Sequence, residues 1–204
     1  MAKLLFLFMP TVLFFTACEA KLLNINNNGT DIIAFGDSLS AGYGADKESS
    51  YPAALAAMIN APVINLGVSG DTARQGANRK SDILKYNPYM VLIEFGGNDA
   101  MRGRPFAETQ NALEEIIDYV HKAGAIAVVV DTGGNFKMSP YGKMMKRLAK
   151  TKNALFIPKI MDGIFYNPAL KSDAIHPNEK GYKIIAEKIY KRIKPYIKKN
   201  VFIE

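Results

Sequence analysis

Five apolar segments, each followed by a segment of helical composition, limit the possible folds of this chain more than any other feature. The apolar segments are DIIAF (31–35), PVINLGV (62–68), YMVLIEFGG (89–97), AIAVVVDTG (125–133) and ALFIPK (154–159). None alternates apolar with polar residues, so each strand is expected to be buried on both faces. Strands of this kind, separated by helices, are typical of a parallel sheet. The sequence therefore predicts an α/β fold, a three-layer α/β/α sandwich with a five-stranded parallel sheet.

Length and composition fit a single soluble domain. The chain has 204 residues, of which 49% are hydrophobic and 22% are charged, and this is enough to fill one core. The intervening segments 51–60, 72–86, 106–124 and 140–151 have helical composition. No repeat or linker divides the core. We therefore expect residues 31–204 to form one domain. We choose a flavodoxin-like order of strands, although the sequence does not itself show the order.

The N-terminal residues 1–20 resemble an export signal. Lys3 supplies a positive start, and the apolar run from Leu4 to Phe15 suits a signal peptide better than a membrane-spanning helix. The sequence up to Cys18 resembles the bacterial lipobox, whose cysteine is lipidated, whereas ordinary cleavage after Ala20 is the alternative. We expect a protein exported to the bacterial periplasm or cell envelope, with a lipid anchor at Cys18 if the lipobox is used. Residues 21–30 are predicted to be a linker.

The lone cysteine and the excess of basic residues limit the possible partners. Since Cys18 is the only cysteine, no intramolecular disulfide can form. The formal net charge is +7, and many of the basic residues lie in a predicted C-terminal helix. That helix either presents a solvated basic face or attracts an anionic membrane surface. Nucleic-acid binding is not expected, because no recognition motif accompanies the charge.

Glycines and polar residues follow the first three predicted strands, in the segments GDSLSAG, GVSGDTA and GGNDAMRG. Ligands of parallel sheets gather outside the carboxyl ends of the strands. Ser38, at the turn after the first strand, is therefore a candidate nucleophile for acyl transfer. Asp37 and Asp99, beside the candidate positions, are expected to brace these loops through hydrogen bonds.

The chain has two histidines, and their surroundings differ. His121 lies near the C-terminus of a predicted helix, where the dipole favours a positive charge, so we expect a surface role. His176 follows Asp173 by three residues and precedes Pro177, with which the last helix is expected to start. This spacing lets the carboxylate hold one imidazole nitrogen while the other faces a serine. The alternative is that Asp173 caps a turn and His176 lies on the surface.

Four segments together resemble the signature blocks of the GDSL, or SGNH, hydrolases in their usual order: GDSLSAG, NLGVSGDTA, FGGNDAMRG and DAIHPN. The resemblance extends from about residue 31 to residue 199. It is nearest to the bacterial multifunctional acyl-thioesterase, lysophospholipase and arylesterase enzymes. It implies the SGNH fold and a serine esterase that works through an acyl-enzyme, without cofactor or metal.

The same resemblance assigns roles to individual residues. Ser38 is implied as the nucleophile, His176 as the general base and Asp173 as the carboxylate that orients it. The implied oxyanion hole consists of the backbone N–H groups of Ser38 and Gly70 and the side-chain amide of Asn98. Small acyl esters or lipids are the implied substrates.

Several alternatives stay open. A carbohydrate or peptidoglycan O-acetylesterase would use the same triad, and a non-catalytic envelope-binding lipoprotein could reuse the fold. Acyl-CoA is absent outside the cytoplasm, so lysophospholipids or other esters suit an exported enzyme better than thioesters. Arg102 and Arg104 could meet a phosphate or carboxylate of a substrate, or lie solvated in their loop. The segment after the fourth strand departs from the subgroup, so no acyl-chain preference is predicted, and neither is the oligomeric state.

Overall fold

The computed structural model describes residues 22–134 and 139–197, and in these residues the five predicted strands form one parallel sheet. The strands are β1 (Asp31–Gly36), β2 (Val63–Asn65), β3 (Pro88–Glu94), β4 (Ile126–Val130) and β5 (Leu155–Ile157). Their order is β2-β1-β3-β4-β5, and all four neighbouring pairs are parallel. The flavodoxin-like order and the α/β fold class are thus confirmed.

Helices cover both faces of the sheet and complete the three layers. They are α1 (Ser38–Ala41), α2 (Tyr51–Ile59), α3 (Ala73–Asn78), α4 (Gly97–Met101), α5 (Phe106–Lys122), α6 (Ser139–Thr151) and α7 (Glu179–Ile193). One face of the sheet packs on α2 and α7, and the other packs on α3, α5 and α6. Successive residues of β1 enter opposite cores, because side chains alternate along a strand: Ile32 joins the first and Ile33 the second.

The single helix predicted over residues 72–86 is wrong. The structure has α3, which a capping box between Thr72 and Gln75 starts, and then a 3₁₀ helix over Lys80–Lys85. The two pieces are separated at Arg79, whose side chain turns back to carbonyl groups of other segments. A tertiary contact therefore overrides the local helical preference.

The helix boundaries near the polar segments after β1 and β3 and before α7 also differ from expectation. Pro177 does not start the last helix; Asn178 caps it and accepts a hydrogen bond from the backbone N–H of Gly181 at 3.1 Å. The segments after β1 and β3, expected as loops, contain the short helices α1 and α4. Gly42, at φ +84°, ends α1 in the left-handed conformation that glycine favours.

The polar segment expected to be a linker is attached to the domain over residues 22–30. The Asn24 side chain donates to the carbonyls of His121 and Ala125, both at 3.0 Å, and Leu22 packs against the core. The side-chain amide thus satisfies carbonyls at the end of α5. The predicted signal peptide and Cys18 lie outside the described residues. Among the residues that the structure describes, no helix is long and apolar enough to cross a membrane.

Candidate active site

The candidate site lies at the carboxyl ends of β1 and β3, where the order of strands reverses. Ser38 begins α1 directly after β1, and Asn98 lies in α4 directly after β3. Asp37 caps α1 by accepting a hydrogen bond from the N–H of Leu39 at 3.0 Å. Ligands of doubly wound sheets bind at such a reversal, because the loops on its two sides separate and leave a crevice.

A chain of hydrogen bonds joins Ser38 to His176 and His176 to Asp173. Nε2 of His176 lies 3.0 Å from Ser38 Oγ, and Nδ1 lies 2.7 Å from Asp173 Oδ2. A carboxylate beside Nδ1 favours the tautomer that carries its hydrogen there. Nε2 is then the acceptor and Ser38 Oγ the donor. This arrangement can remove a proton from the serine hydroxyl as that hydroxyl attacks an electrophile.

Asp173 fixes both the backbone and the charge of this turn. Its Oδ1 accepts from the N–H groups of Ile175 at 2.8 Å and His176 at 2.7 Å. Partial burial acts to raise the pKa of Asp173, but the hydrogen bonds from His176 and Ile175 outweigh it and lower the pKa to about 2. The carboxylate is therefore ionised at neutral pH and faces the imidazole as an anion.

The ring of Tyr43 packs against the imidazole of His176. The two ring centroids are 4.5 Å apart, and the Tyr182 hydroxyl donates to the carbonyl of Tyr43 at 2.7 Å. The neighbouring Gly44, at φ +90°, lies so close to the histidine turn that a Cβ would come within 2.0 Å of Ser172 Oγ. The segment after the candidate nucleophile thus packs directly against the segment that carries the candidate base.

Gly70 and Asn98 lie beside each other. The Asn98 Nδ2 donates to the carbonyl of Asp71 at 3.0 Å, and Gly70 directly precedes Asp71. The second hydrogen of Nδ2 faces Asp37 Oδ2 at 3.1 Å. A Cβ on Gly70, which has φ +87°, would meet only the Arg102 guanidinium, at 3.4 Å. The amide plane of Asn98 is therefore fixed by two acceptors.

Arg79 ties the segment that carries Gly70 to the end of β1. Its guanidinium donates to Asp71 Oδ2 at 2.6 Å, to the carbonyl of Leu66 at 2.8 Å and to the carbonyl of Gly36 at 2.9 Å. Its guanidinium carbon also lies 4.4 Å from the ring centroid of Phe35. One side chain thus fixes the distance between the segments after β1 and β2.

A cleft with largely apolar walls begins at Ser38 and His176. It continues under the segments that follow β4 and β5. Besides Asp37, Ser38, Gly97, Asn98 and His176, the residues around it are Leu39, Met101, Thr132, Gly133, Met161, Phe165 and Ile175. Such a surface suits a hydrocarbon chain attached to a group that reacts at Ser38.

Three residues that contact the site were not found from the sequence. A signal existed for Glu94, which is the one acidic residue in the apolar segment 89–97 and is fully buried. Nothing local distinguishes Tyr43 or Arg79, because their contacts come from distant parts of the chain.

His121, predicted at the surface, is partly buried in the last turn of α5, just before the amino end of β4. Within residues 22–134 and 139–197, no cluster of side chains could hold a metal ion.

The sequence and the fold are similar to those of known hydrolases. The model of the GDSL-like lipase/acylhydrolase family matches residues 34–184. Thioesterase 1/protease 1/lysophospholipase L1 of Escherichia coli (strain K12) is 31% identical over 176 residues, which cover 81% of this chain and 84% of that protein. The arylesterase of Vibrio mimicus is 29% identical over 195 residues, or 88% of this chain and 93% of the relative.

Among solved structures, the psychrotrophic esterase EstA from Pseudoalteromonas sp. superposes with a TM-score of 0.75 and is 26% identical. The match covers 82% of this chain and 98% of that esterase, in a structure inhibited by monoethylphosphonate.

Proposed function

Since the chain belongs to the GDSL-like lipase/acylhydrolase family and is an ester hydrolase, we propose that Ser38, His176 and Asp173 are its catalytic triad. The observation that carries this proposal is the pair of hydrogen bonds of 3.0 Å and 2.7 Å that join the three side chains. The nucleophile, its base and the group that orients the base are in the order that acyl transfer requires.

The reaction then proceeds in two halves. Ser38 Oγ attacks the acyl carbonyl carbon while its proton passes to His176 Nε2, and the ionised Asp173 stabilises the imidazolium that forms. His176 next gives this proton to the departing alcohol oxygen as the C–O bond breaks, which leaves the acyl group on Ser38. Water, activated by the same imidazole, attacks the acyl-enzyme and releases the acid and the serine.

The negative oxygen of each tetrahedral intermediate is proposed to bind in an oxyanion hole. This hole consists of the Ser38 and Gly70 N–H groups and the Asn98 amide. Ser38 N lies in the first turn of α1, where N–H groups have no acceptor within the helix. Gly70 has no Cβ that could block the approach of a substrate. Asn98 lines the cleft that begins at Ser38. Donors that are fixed before the reaction stabilise the developing charge without reorganisation.

The natural substrate is proposed to be an ester of a medium or long fatty acid. The acyl chain is assigned to the largely apolar cleft between α4 and the segments after β4 and β5. Gly70 follows β2, at the other side of the sheet, so the alcohol half is assigned to that side. There the Arg102 guanidinium lies exposed beside Gly70, and no acidic group pairs with it in the described residues. A lysophospholipid, with a phosphate in its alcohol half, offers such a partner.

Two measurements test this function. A fluorophosphonate probe should label the wild-type enzyme and fail to label Ser38→Ala. The hydrolysis of p-nitrophenyl esters from acetyl to dodecanoyl should show the highest kcat/KM at octanoyl or longer. A maximum at acetyl would instead favour an O-acetylesterase. Full esterase activity in purified Ser38→Ala would refute the assignment of the nucleophile.

Export and lipidation at Cys18 are a separate proposal, supported by the sequence pattern of residues 1–20. Labelled palmitate should enter the wild-type protein in bacteria and not enter Cys18→Ser. Incorporation that persists in the variant would refute lipidation at this residue.

A further inference from the structure

A second carboxyl group lies buried behind the site, where the mechanism does not use it. Glu94 ends β3 and is fully buried. Its Oε2 accepts from the Ser40 hydroxyl at 3.0 Å, and more weakly from the N–H of Asp37 at 3.4 Å. No donor reaches its Oε1, and no basic side chain in the described residues forms an ion pair with it. A buried carboxylate without a cation is costly, so a neutral acid is the favoured state.

Glu94 also meets a second carboxyl group, that of Asp37. The backbone N–H of Asp37 lies 3.4 Å from Glu94 Oε2, so the two carboxyl groups lie close enough to interact, and a hydrogen bond between two carboxyl groups can form only if one of them carries a proton. Burial raises the pKa of both groups, and that of Glu94 well above its usual range. Two adjacent buried carboxyl groups cannot both ionise readily, because their charges repel.

The hydrogen-bond partners show which of the two groups holds the proton. Asp37 accepts from the N–H of Leu39 at 3.0 Å and from Asn98 Nδ2 at 3.1 Å, and two N–H donors favour its ionised form. Glu94 has one hydroxyl donor and one long backbone contact. The proton is therefore assigned to Glu94, with Asp37 as the acceptor that we infer for it.

We propose that Glu94 is a neutral acid in the working enzyme and that Asp37 and Glu94 are positioning residues for the Asn98 amide. This inference rests on the proposed function, in which Asn98 stabilises the oxyanion. Asp37 and the oxyanion compete for the same Asn98 hydrogen. The proton of Glu94 takes up part of the acceptor capacity of Asp37, so the amide stays oriented by Asp37 and yet can donate to the oxyanion. The same proton also leaves Glu94 uncharged, so that Glu94 adds no negative charge near the reacting centre.

The other titratable groups around the pair do not supply a competing cation when the active site is at rest. Tyr51 of α2 and Tyr182 of α7 face it, and burial raises the pKa of both phenols, so they stay neutral. His176 also acts on Asp37 electrostatically and lowers the pKa of that carboxyl group.

Infrared spectroscopy tests the proton directly and does not depend on activity. The full chain in D₂O buffer at neutral pH should show the carbonyl stretch of a protonated carboxylic acid. Glu94→Gln should lose this band. Asp99→Asn, which alters another buried carboxyl group, should keep it and serves as the matched control. A wild type without the band, or a Glu94→Gln protein that retains it, would overturn the proposal.

Kinetics tests the positioning role. Glu94→Met removes the donor to Asp37, and kcat should fall roughly tenfold or more while KM changes little, because only the transition state uses the oxyanion donor. Glu94→Gln restores an N–H donor and should recover most of the loss. If Glu94→Gln, folded by circular dichroism, is as slow as Glu94→Met, the positioning role is wrong. Activity in Ser38→Ala would instead refute the proposed triad and leave the infrared result standing.

Discussion

Nε2 of His176 lies 3.0 Å from Ser38 Oγ, although 138 positions of sequence separate the two residues. Ser38 directly follows β1, and His176 lies in the turn before α7. The fold brings the two residues together at the carboxyl ends of the strands. Each end of this contact has its own support. Asp37 caps the helix that begins at Ser38, and Asp173 fixes the turn of His176.

Asn98→Ala should lower kcat by about 10²–10³, because it removes one donor to the oxyanion. The KM for a p-nitrophenyl ester should change by less than about threefold, since the ground-state carbonyl carries little charge. Steady-state kinetics with p-nitrophenyl octanoate measures both. An Asn98→Ala enzyme that turns over at the wild-type rate would remove Asn98 from the oxyanion hole.

Arg79→Gln should lower kcat roughly ten- to a hundredfold, because the Arg79 guanidinium no longer links the segment that carries Gly70, through Asp71 and Leu66, to Gly36 of β1. Arg74→Gln is the matched control: Arg74 lies in α3, which ends directly before Arg79, and forms an ion pair with the exposed Glu115. Added guanidinium at low concentration should restore part of the activity of Arg79→Gly. Equal effects of the Arg74 and Arg79 substitutions would contradict a role in placing Gly70.

Gly44→Ala should slow catalysis roughly ten- to a hundredfold, because its methyl group would displace Ser172 and with it the turn of His176. Gly163→Ala separates this effect from backbone strain. Gly163 also has a positive φ, +76°, but nothing lies within 4 Å of its Cβ position. The control should lose some stability and keep the wild-type kcat/KM for p-nitrophenyl octanoate. Similar losses of kcat/KM in both variants would show that strain alone accounts for the effect.

Asp173 should stabilise the folded protein above about pH 4 and progressively less as the pH falls. Its pKa is lowered from 3.8 to about 2, so the folded state holds the ionised form and the unfolded state takes up the proton first. The difference in the free energy of unfolding between wild type and Asp173→Asn should therefore shrink between about pH 4 and pH 2. Urea denaturation at several pH values measures this. A difference that is constant over the range would contradict the lowered pKa.

Arg102→Gln should reduce the preference for a phosphate-bearing alcohol about tenfold. The measurement is the ratio of kcat/KM for 1-octanoylglycerol 3-phosphate to that for 1-octanoylglycerol, which differ only in the phosphate. Arg104→Gln, in the same exposed loop, should leave the ratio within about twofold of the wild type. A ratio that Arg102→Gln does not change would exclude Arg102 as the phosphate partner.

The strands could be predicted because buried parallel strands leave continuous apolar runs in the sequence. Their order could not be read from these runs, and the flavodoxin-like order is a choice that the structure confirms. The grouping of Ser38, Gly70 and Asn98 could also be predicted, since each follows the carboxyl end of a strand and these ends lie together in a parallel sheet. The contacts of Arg79 could not be predicted, because its acceptors are Gly36 in β1 and Leu66 and Asp71 in the segment after β2. Only the folded chain brings these groups around one side chain. The same holds for Tyr43, which meets His176 only after the whole chain has folded. The catalytic roles themselves stay predictions until the variants are measured.

The apolar cleft draws Thr132, Gly133, Met161 and Phe165 from the segments that follow β4 and β5, and Leu39 and Met101 from those that follow β1 and β3. On the proposed function, Thr132, Gly133, Met161 and Phe165 are therefore the wall residues that lie outside the segments of the proposed triad and oxyanion hole. Substitutions at these four positions should alter the preference for acyl-chain length and leave the proposed nucleophile and oxyanion donors in place.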